Sequence, residues 1–559
     1  MRGPRVAGRL SEAFAQALAS WGARRVYGII GTTVLDLFDA LYSVRDRVEV
    51  VTTRHEQVAV SAADAEGRVT GRPGVAVVHA APGLLNAMVS LGIAYRDRAP
   101  LVVIAGGVRR RLRGTDAWLE VDLETATRPI AKYYRVAGSP REALEALREA
   151  FEAAASPPRG PAIVEVPEDL WKARAPGAPE PPEAREPEAG GAGEMASRVA
   201  ELAREAGKPL ILACGELAMH PGFRQDLLLA LAERMDAYIV TSGNGRGACP
   251  EDHPRCLGRT GFGGGSTAAD TALAESDLVV VLGNEFDDIT TYAYNIIPEG
   301  DVVVASLDPS TRRRPRYYEH YHADPNKSLQ ALLQAVPKLE RPGWRERIRE
   351  LRASWAKIVE EHTRPGREGV SPGQFFQALD KALGRDRIVS AGQGTHILYT
   401  YSFMRIYRPR SFLAATNLGA MSYALPAGLG AKLSSPGRQV VTVAGDGDFL
   451  MTVQDLETLA RKRVPLGMVV VNDGSYRVLY LKQLIQYQGR VYETLLGNPD
   501  FSLLARSFNI PHIRVDDKEK VGRAVEALAR QDESVIVELP VDPGEVPPLN
   551  LEATLAMGR

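Results

Sequence analysis

An α/β protein of three doubly wound parallel-sheet domains is predicted, and three observations carry that expectation. The chain of 559 residues is several times the ordinary domain of about 150 residues. Short β-branched runs alternate with helical periodicity along nearly its whole length, as parallel strands covered on both faces require. Two stretches break this rhythm. Residues 172–194, KARAPGAPEPPEAREPEAGGAGE, are built of Pro, Gly, Ala and Glu and read as an extended linker. Around residues 341–372 a charged helix, WRERIRELRASWAKIVEEH, is closed by Pro365-Gly366 and Pro372-Gly373. These breaks predict domains over residues 1–180, 190–345 and 365–559.

In the first block the strand-like runs are residues 25–29, 48–52, 75–79, 101–105 and 162–166. The second block carries them at 210–213, 237–241, 278–282 and 302–307, and the third at 388–390, 440–444, 466–472 and 535–539. Ligands of open parallel sheets sit beyond the carboxyl ends of the strands, where strand order reverses, so functional residues are sought there.

Apolar residues make up 45% and charged residues 25% of the chain, and 68 Lys and Arg balance 69 Asp and Glu to a net charge of −1. These proportions exclude a disordered or collagen-like chain, and the lack of a basic excess argues against nucleic acid or an anionic membrane surface as partner. No apolar run approaches the roughly 18 residues of a membrane span. The N-terminal sequence enters an amphipathic helix with neither a secretory apolar core nor a cleavage site. Three cysteines, Cys214, Cys249 and Cys256, are too few for a disulfide framework and lack the spacing of a zinc knuckle. A reducing cytoplasm and a small-molecule partner are expected.

The strongest chemical signal lies in the third block, VVTVAGDGDFLMTVQDLETLARKRVPLGMVVVNDGSY. A buried strand runs into Gly445-Asp446-Gly447-Asp448, a helix follows, and a second buried strand ends in Asn472-Asp473-Gly474-Ser475. One right-handed βαβ unit thus carries an oxygen donor at the end of each strand. Such donors beside a helix N-terminus suit a hard divalent cation that is also held by a diphosphate, and the glycines let the backbone approach the anion. Alone, the same residues also read as a strand-to-helix turn with an Asp cap.

With 24 residues between Gly447 and Asn472, the segment resembles the signature of thiamine diphosphate (ThDP) enzymes. The likeness covers essentially the whole chain and points to the acetolactate synthase-like group, which includes pyruvate oxidase, oxalyl-CoA decarboxylase and related 2-oxo acid decarboxylases. It implies pyrimidine-binding, central and diphosphate-binding domains in that order. It also implies that Asp446, the side chain of Asp473 and the carbonyl of Ser475 bind Mg2+, with Gly445, Gly447 and Asp448 completing the cofactor-binding loop. The family usually has Asn where Asp473 stands. A second carboxylate adds negative charge beside a diphosphate but strengthens the hold on the metal.

Block one supplies TTRHEQVAVSAADAEGRVTG, in which Arg54-His55-Glu56-Gln57 resembles the family's RHEQ segment. The resemblance makes Glu56 the catalytic residue, bonded to N1′ of the aminopyrimidine. A carboxyl trading a proton with that nitrogen promotes the imino tautomer, which takes the proton from carbon 2 of the thiazolium. A third element, Thr416-Asn417-Leu418-Gly419-Ala420-Met421-Ser422-Tyr423, resembles the family's GAMGFG segment. Gly419 takes the position whose carbonyl accepts from the 4′-amino group, and Met421 that of the apolar side chain that bends the cofactor. Gly392-Gln393-Gly394 falls on the first diphosphate-binding loop.

Block two resembles the family's central domain through VTSGNGRGACPEDHPRCLG and LVVVLGNEFDD. That domain holds FAD in acetolactate synthases and ADP in oxalyl-CoA decarboxylase. Here Glu285 and Ile289 stand where the family has arginines, and its GMHG segment reads Gly261-Phe262-Gly263-Gly264. Replacing a cation by an anion near a dinucleotide phosphate is unfavourable, which argues against FAD. The pocket loops also depart from acetolactate synthase: Gly28-Ile29-Ile30-Gly31-Thr32-Thr33, Ala80-Ala81-Pro82-Gly83-Leu84-Leu85-Asn86, Trp118-Leu119-Glu120, and Lys482 for a tryptophan. His55, His79 and His396 lie near strand ends, and His79 directly precedes a pocket loop.

The resemblance implies a ThDP- and Mg2+-dependent decarboxylase and carboligase acting on a small 2-oxo acid, with acetolactate formation from two pyruvates as the nearest family activity. An acyl-CoA C–C lyase or decarboxylase of the oxalyl-CoA type is the enzymatic alternative, and a non-catalytic ligand-sensing homologue the other. Because the family addresses the two ends of the cofactor from different subunits, a homodimer or homotetramer with interfacial active sites is implied.

Overall fold

The computed structural model describes residues 8–185, 189–313, 318–364, 370–542 and 545–548. It contains three six-stranded sheets with flanking helices. The first is formed by β1 (Arg25–Gly28), β2 (Glu49–Thr52), β3 (Gly74–Val78), β4 (Leu101–Gly107), β5 (Tyr133–Val136) and β6 (Pro161–Pro167). The second is formed by β7 (Pro209–Ala213), β8 (Tyr238–Thr241), β9 (Cys256–Arg259), β10 (Leu278–Leu282), β11 (Asp301–Ser306) and β12 (Glu319–His322). The third is formed by β13 (Ile388–Ala391), β14 (Phe412–Leu413), β15 (Val440–Gly445), β16 (Gly467–Asn472), β17 (His512–Arg514) and β18 (Val535–Pro540).

The first and third sheets share one topology, β2-β1-β3-β4-β6-β5 and β14-β13-β15-β16-β18-β17. The central sheet runs β9-β8-β7-β10-β11-β12, the order of a dinucleotide-binding fold, with its switch point between β7 and β10. Pairing is parallel throughout each sheet. Helices on both faces therefore bury the inner strands completely, as in β4 and β10, where every residue is buried. Side chains of β10 alternate between two cores: Val280 and Leu282 join one, Val279 and Val281 the other.

The chain packs into two compact units: residues 1–186, 426–435 and 452–464 form one, and the remainder the other. Within the first unit the helix Ala424–Ser434 comes so close to the helix Glu56–Thr70 that a Cβ on Gly430 would stand 2.1 Å from the Ala62 carbonyl oxygen. Lys462 Nζ reaches Glu49 Oε1 at 2.9 Å and the Val50 carbonyl at 2.8 Å, and Arg461 Nη2 donates to the Thr52 carbonyl at 2.6 Å. Residues far along the chain thus finish the carboxyl end of β2.

The Pro-rich stretch after residue 172 lies on the first unit, where Trp21 Nε1 donates to the Pro179 carbonyl at 3.3 Å and the Arg185 amide to Ser156 Oγ at 2.8 Å. The charged helix expected before residue 365 is Pro342–Thr363, and Pro365-Gly366 lies outside the described residues. The cysteine reading needs a correction. Cys249 and Cys256 are joined in a disulfide, their Cα atoms 6.2 Å apart, while Cys214 is free and buried. The loop after β8 folds back to β9 and brings the two together, which sparse cysteines at wide spacing did not suggest. No helix among the described residues is long and apolar enough to cross a membrane.

Candidate active site

In the first unit, β2 ends at Thr52 and Arg54-His55 turn the chain into the helix Glu56–Thr70. His55 caps that helix, its Nδ1 accepting from the Gln57 amide at 3.2 Å, and Thr53 Oγ1 donates to the His55 carbonyl at 2.9 Å. The Arg54 amide donates to Asp455 Oδ1 at 2.9 Å. Burial pushes the Asp455 carboxyl up to about 6. Glu56 is thereby fixed as the first helical residue, 8% exposed. Its Oε2 accepts from Asn86 Nδ2 at 3.0 Å, so the last residue of the pocket loop 80–86 is the partner of Glu56, a contact the sequence did not show.

His79 ends the approach from β3 and meets Thr33 Oγ1 at 2.9 Å, while Trp171 Nε1 donates to the Thr33 carbonyl at 2.8 Å. His79 therefore binds the loop after β1 to the loop after β3. In the loop after β4, Glu120 accepts from the amides of Gly114 and Ala117, which hold its carboxyl below the usual range. Trp118 beside it is 81% exposed, and Leu119 takes a left-handed backbone with φ 71°.

In the second unit, the other expected residues come from four segments around β13, β15 and β16. Asp446, 3% exposed, begins the short helix Asp446–Leu450 at the end of β15. Its Oδ1 accepts from the Gly447 amide at 2.9 Å, and its Oδ2 from the Gly474 amide at 2.8 Å and Asn498 Nδ2 at 2.6 Å. Asn498 also reaches Asn472 Oδ1 at 2.9 Å. The ends of β15 and β16 are thus laced together, with Asp446 and Asp473 side by side. Ser475 Oγ donates to Asp473 Oδ1 at 2.6 Å, and Arg477 Nη1 stands 3.6 Å from Asp473 Oδ2.

Burial raises both carboxyls. That of Asp473 reaches about 6, with the neighbouring Asp446 charge adding to the rise, and that of Asp446 is raised despite its hydrogen bonds. Two neighbouring buried carboxyls, with a backbone carbonyl at Ser475, are a hard-oxygen set suited to a divalent cation. Among the described residues no cluster of three or more His, Cys, Asp or Glu side chains forms a richer metal site.

Asp448 faces away from Asp446. Its Oδ1 accepts from the Ser422 amide, directly after Met421, and its Oδ2 lies where a Cβ on Gly392 would come within 1.8 Å. Gln393 Nε2 donates to the Ala415 carbonyl at 3.1 Å, and the Gly419 amide to the same carbonyl at 2.8 Å. Gly392, Gln393 and Gly394, Gly419 and Met421, and the loop Gly445-Asp446-Gly447-Asp448 therefore form one cradle, tied by Asp448. His396 packs between Gly394 and Gly445 with Nε2 3.8 Å from Asp448 Oδ2. Burial lowers its imidazole to about 3, which keeps it neutral. Lys482 is exposed on the helix Arg477–Gln486.

Three family models match the chain. The thiamine pyrophosphate enzyme N-terminal binding domain matches residues 8–126, the central domain 196–332 and the C-terminal binding domain 392–539. The chain is 30% identical to a probable acetolactate synthase large subunit of Methanocaldococcus jannaschii, over 96% of this chain and 93% of the relative. It is 32% identical to the acetolactate synthase large subunit of Corynebacterium glutamicum, over 94% and 86%. It is 31% identical to the acetolactate synthase isozyme 2 large subunit of Escherichia coli, over 94% of each chain. With three family models in order along the chain and relatives aligned over nearly its whole length, the chain belongs to the thiamine pyrophosphate (ThDP) enzyme family and is an enzyme of its acetolactate synthase-like group.

Proposed function

We propose that this enzyme is a ThDP- and Mg2+-dependent 2-oxo acid decarboxylase and carboligase that converts two pyruvates to acetolactate and CO2. The observation that carries the reading is Glu56, a buried carboxyl at a helix start, oriented by Asn86 and built on a strand end that Asp455 and Lys462 brace. ThDP, when bound, supplies the nucleophilic carbon and the electron sink for decarboxylation. Glu56 gives and takes the proton at the pyrimidine nitrogen, and Asn86 keeps its Oε2 from swinging away. The Gly419 carbonyl would accept from the pyrimidine amino group, Met421 would pack against the cofactor, and the Gly392-Gln393-Gly394 loop would bind its diphosphate. Asp446, Asp473 and the Ser475 carbonyl would hold Mg2+.

The same reading divides the chain into domains at residues 1–180, 190–345 and 365–559, places it in the cytoplasm, and pairs it as a homodimer or homotetramer. Ile30 and Trp118 are exposed on the loops after β1 and β4, and Leu85 and Val89 on the helices Ala80–Asn86 and Met88–Arg96 that follow β3, which supports a second copy covering that end of the sheet. The test is CO2 release from a panel of 2-oxo acids by the ThDP- and Mg2+-loaded protein, with acetolactate assayed as product. Silence on every free acid, with turnover of CoA thioesters, replaces the reading by the acyl-CoA alternative. Glu56→Gln is expected to lower turnover about 10²–10⁴-fold with ThDP binding kept. Retained turnover removes Glu56 from its role.

A further inference from the structure

At the switch point of the central sheet a dinucleotide-binding fold receives its diphosphate on amide groups of the first strand-to-helix turn. Here that turn is Cys214-Gly215 after β7, and Gly283-Asn284-Glu285 follows β10 across the switch. Glu285, 4% exposed, fills the position. Its carboxylate accepts from the Gly215 amide at 2.9 Å, from Ser242 Oγ, from Asn244 Nδ2 at 2.8 Å and from Asn417 Nδ2 at 2.9 Å. The glycines of the crevice are filled by the protein itself. A Cβ on Gly215 would come within 2.7 Å of Asn244 Cβ, and one on Gly243 within 2.2 Å of Thr416 Cγ2. At the neighbouring strand end, Glu216 accepts from the Leu307 amide at 2.8 Å and Ser306 Oγ at 2.7 Å.

We propose that Glu285 is a built-in anion in the diphosphate position of the central domain, closing it to FAD and ADP, and that it serves as a positioning residue for the ThDP cradle through Asn417. A dinucleotide diphosphate would meet a carboxylate that already holds the same donors, and the like charges repel. Asn417 stands two residues before Gly419. Its neighbour Thr416 donates to Asn244 Oδ1 at 3.2 Å, and Ala415 is gripped from the other side by Gln393. A domain shaped to carry a nucleotide thereby works as a clamp on the segment that presents Gly419 and Met421. The clamp rests on the ThDP reading, whereas the closure stands without it.

The test uses the full-length purified protein. FAD binding is followed by flavin fluorescence and ADP binding by equilibrium dialysis, and ThDP half-saturation is measured calorimetrically in the presence of Mg2+. Neither FAD nor ADP is expected to bind saturably at millimolar concentration. Glu285→Ala and Asn417→Ala are each expected to raise ThDP half-saturation about tenfold, as loss of a charged hydrogen bond does, with a smaller change in kcat at saturating ThDP. The double variant is expected to be no worse than either single one. If Glu285→Ala fails to fold, Asn417→Ala and Glu285→Gln carry the same comparison. Stoichiometric FAD or ADP on the wild-type protein overturns the closure. Unchanged ThDP half-saturation in the folded variants overturns the clamp, and absent ThDP binding by the wild-type protein overturns the cofactor reading together with the clamp.

Discussion

The central and C-terminal sheets both end in carboxylates at the point where a ligand is expected, yet the two ends are opposite in character. Glu285 after β10 takes four donors, all from the protein. Asp446 and Asp473 after β15 and β16 stand together with raised carboxyls, and the Arg477 guanidinium beside them is 3.6 Å from Asp473, with Nε and Nη1 making no hydrogen bond among the described residues. The compensated end converges four donors on a single carboxylate; the uncompensated end crowds two carboxyls that burial raises despite their own donors and the nearby guanidinium. A shared fold class therefore does not decide which sheet holds a ligand. The balance of donors and charge at each strand end decides it.

Breaking the uncompensated end gives the largest effect. Asp446→Ala is expected to weaken Mg2+-dependent ThDP binding by about 100-fold, measured by calorimetry with and without Mg2+; unchanged affinity would place the metal elsewhere. The next effect sharpens the contrast through pH. With its carboxyl pushed up by burial to about 6, Asp473 would have to lose a proton to take the proposed Mg2+. Half-saturating Mg2+ should then rise about tenfold per pH unit below that value, and Asp473→Asn should flatten the rise. An equal slope in both proteins removes Asp473 from the metal site.

At the compensated end the effect falls on binding least and on stability instead. Burial pushes the Glu216 carboxyl up to about 8 from the ordinary 4.5, so the folded protein keeps a proton that the unfolded chain has lost. The stability this contributes is complete below about 4.5 and is lost as pH rises to about 8, at no more than about 1.4 kcal/mol per pH unit. Glu216→Gln should remove that slope, read from thermal melts between those limits. Identical pH profiles would show Glu216 to be ionised in the folded state.

Most of the fold was legible because inner strands of parallel sheets are apolar on both faces. The runs at 75–79, 101–105, 278–282 and 440–444 all fall on such strands. The missed strands β5, β9, β12, β14 and β17 are all edge strands. Tyr133–Val136 and His512–Arg514 are half-exposed and polar enough to read as loop, which is how edges avoid pairing with other chains. The remaining edge, β2, was found because its valines are continuous. At the candidate site, the placement of Asp446 and Asp473 at strand ends and of Glu56 at a helix start was legible from local motifs. The bonds of Asn498, of Asn86 to Glu56 and of Glu285 to Asn417 were not legible, because each joins positions 26 or more apart that no local spacing links. Arg477 follows Asp473 by four residues but opens the helix Arg477–Gln486 while Asp473 lies in the loop before it, so helical spacing did not announce the pair either.

The bond between the Arg54 amide and Asp455 spans 401 positions, and this has a consequence for how the protein is made. A nascent chain leaving the ribosome has the whole first sheet in hand by residue 167, yet the segments 426–435 and 452–464 that complete its unit are still untranslated. The strand end that carries Glu56 therefore waits through the synthesis of the entire central domain before its last hydrogen bonds form. Translation order lets the unit that holds the first sheet begin folding before the central domain is made and finish only after it.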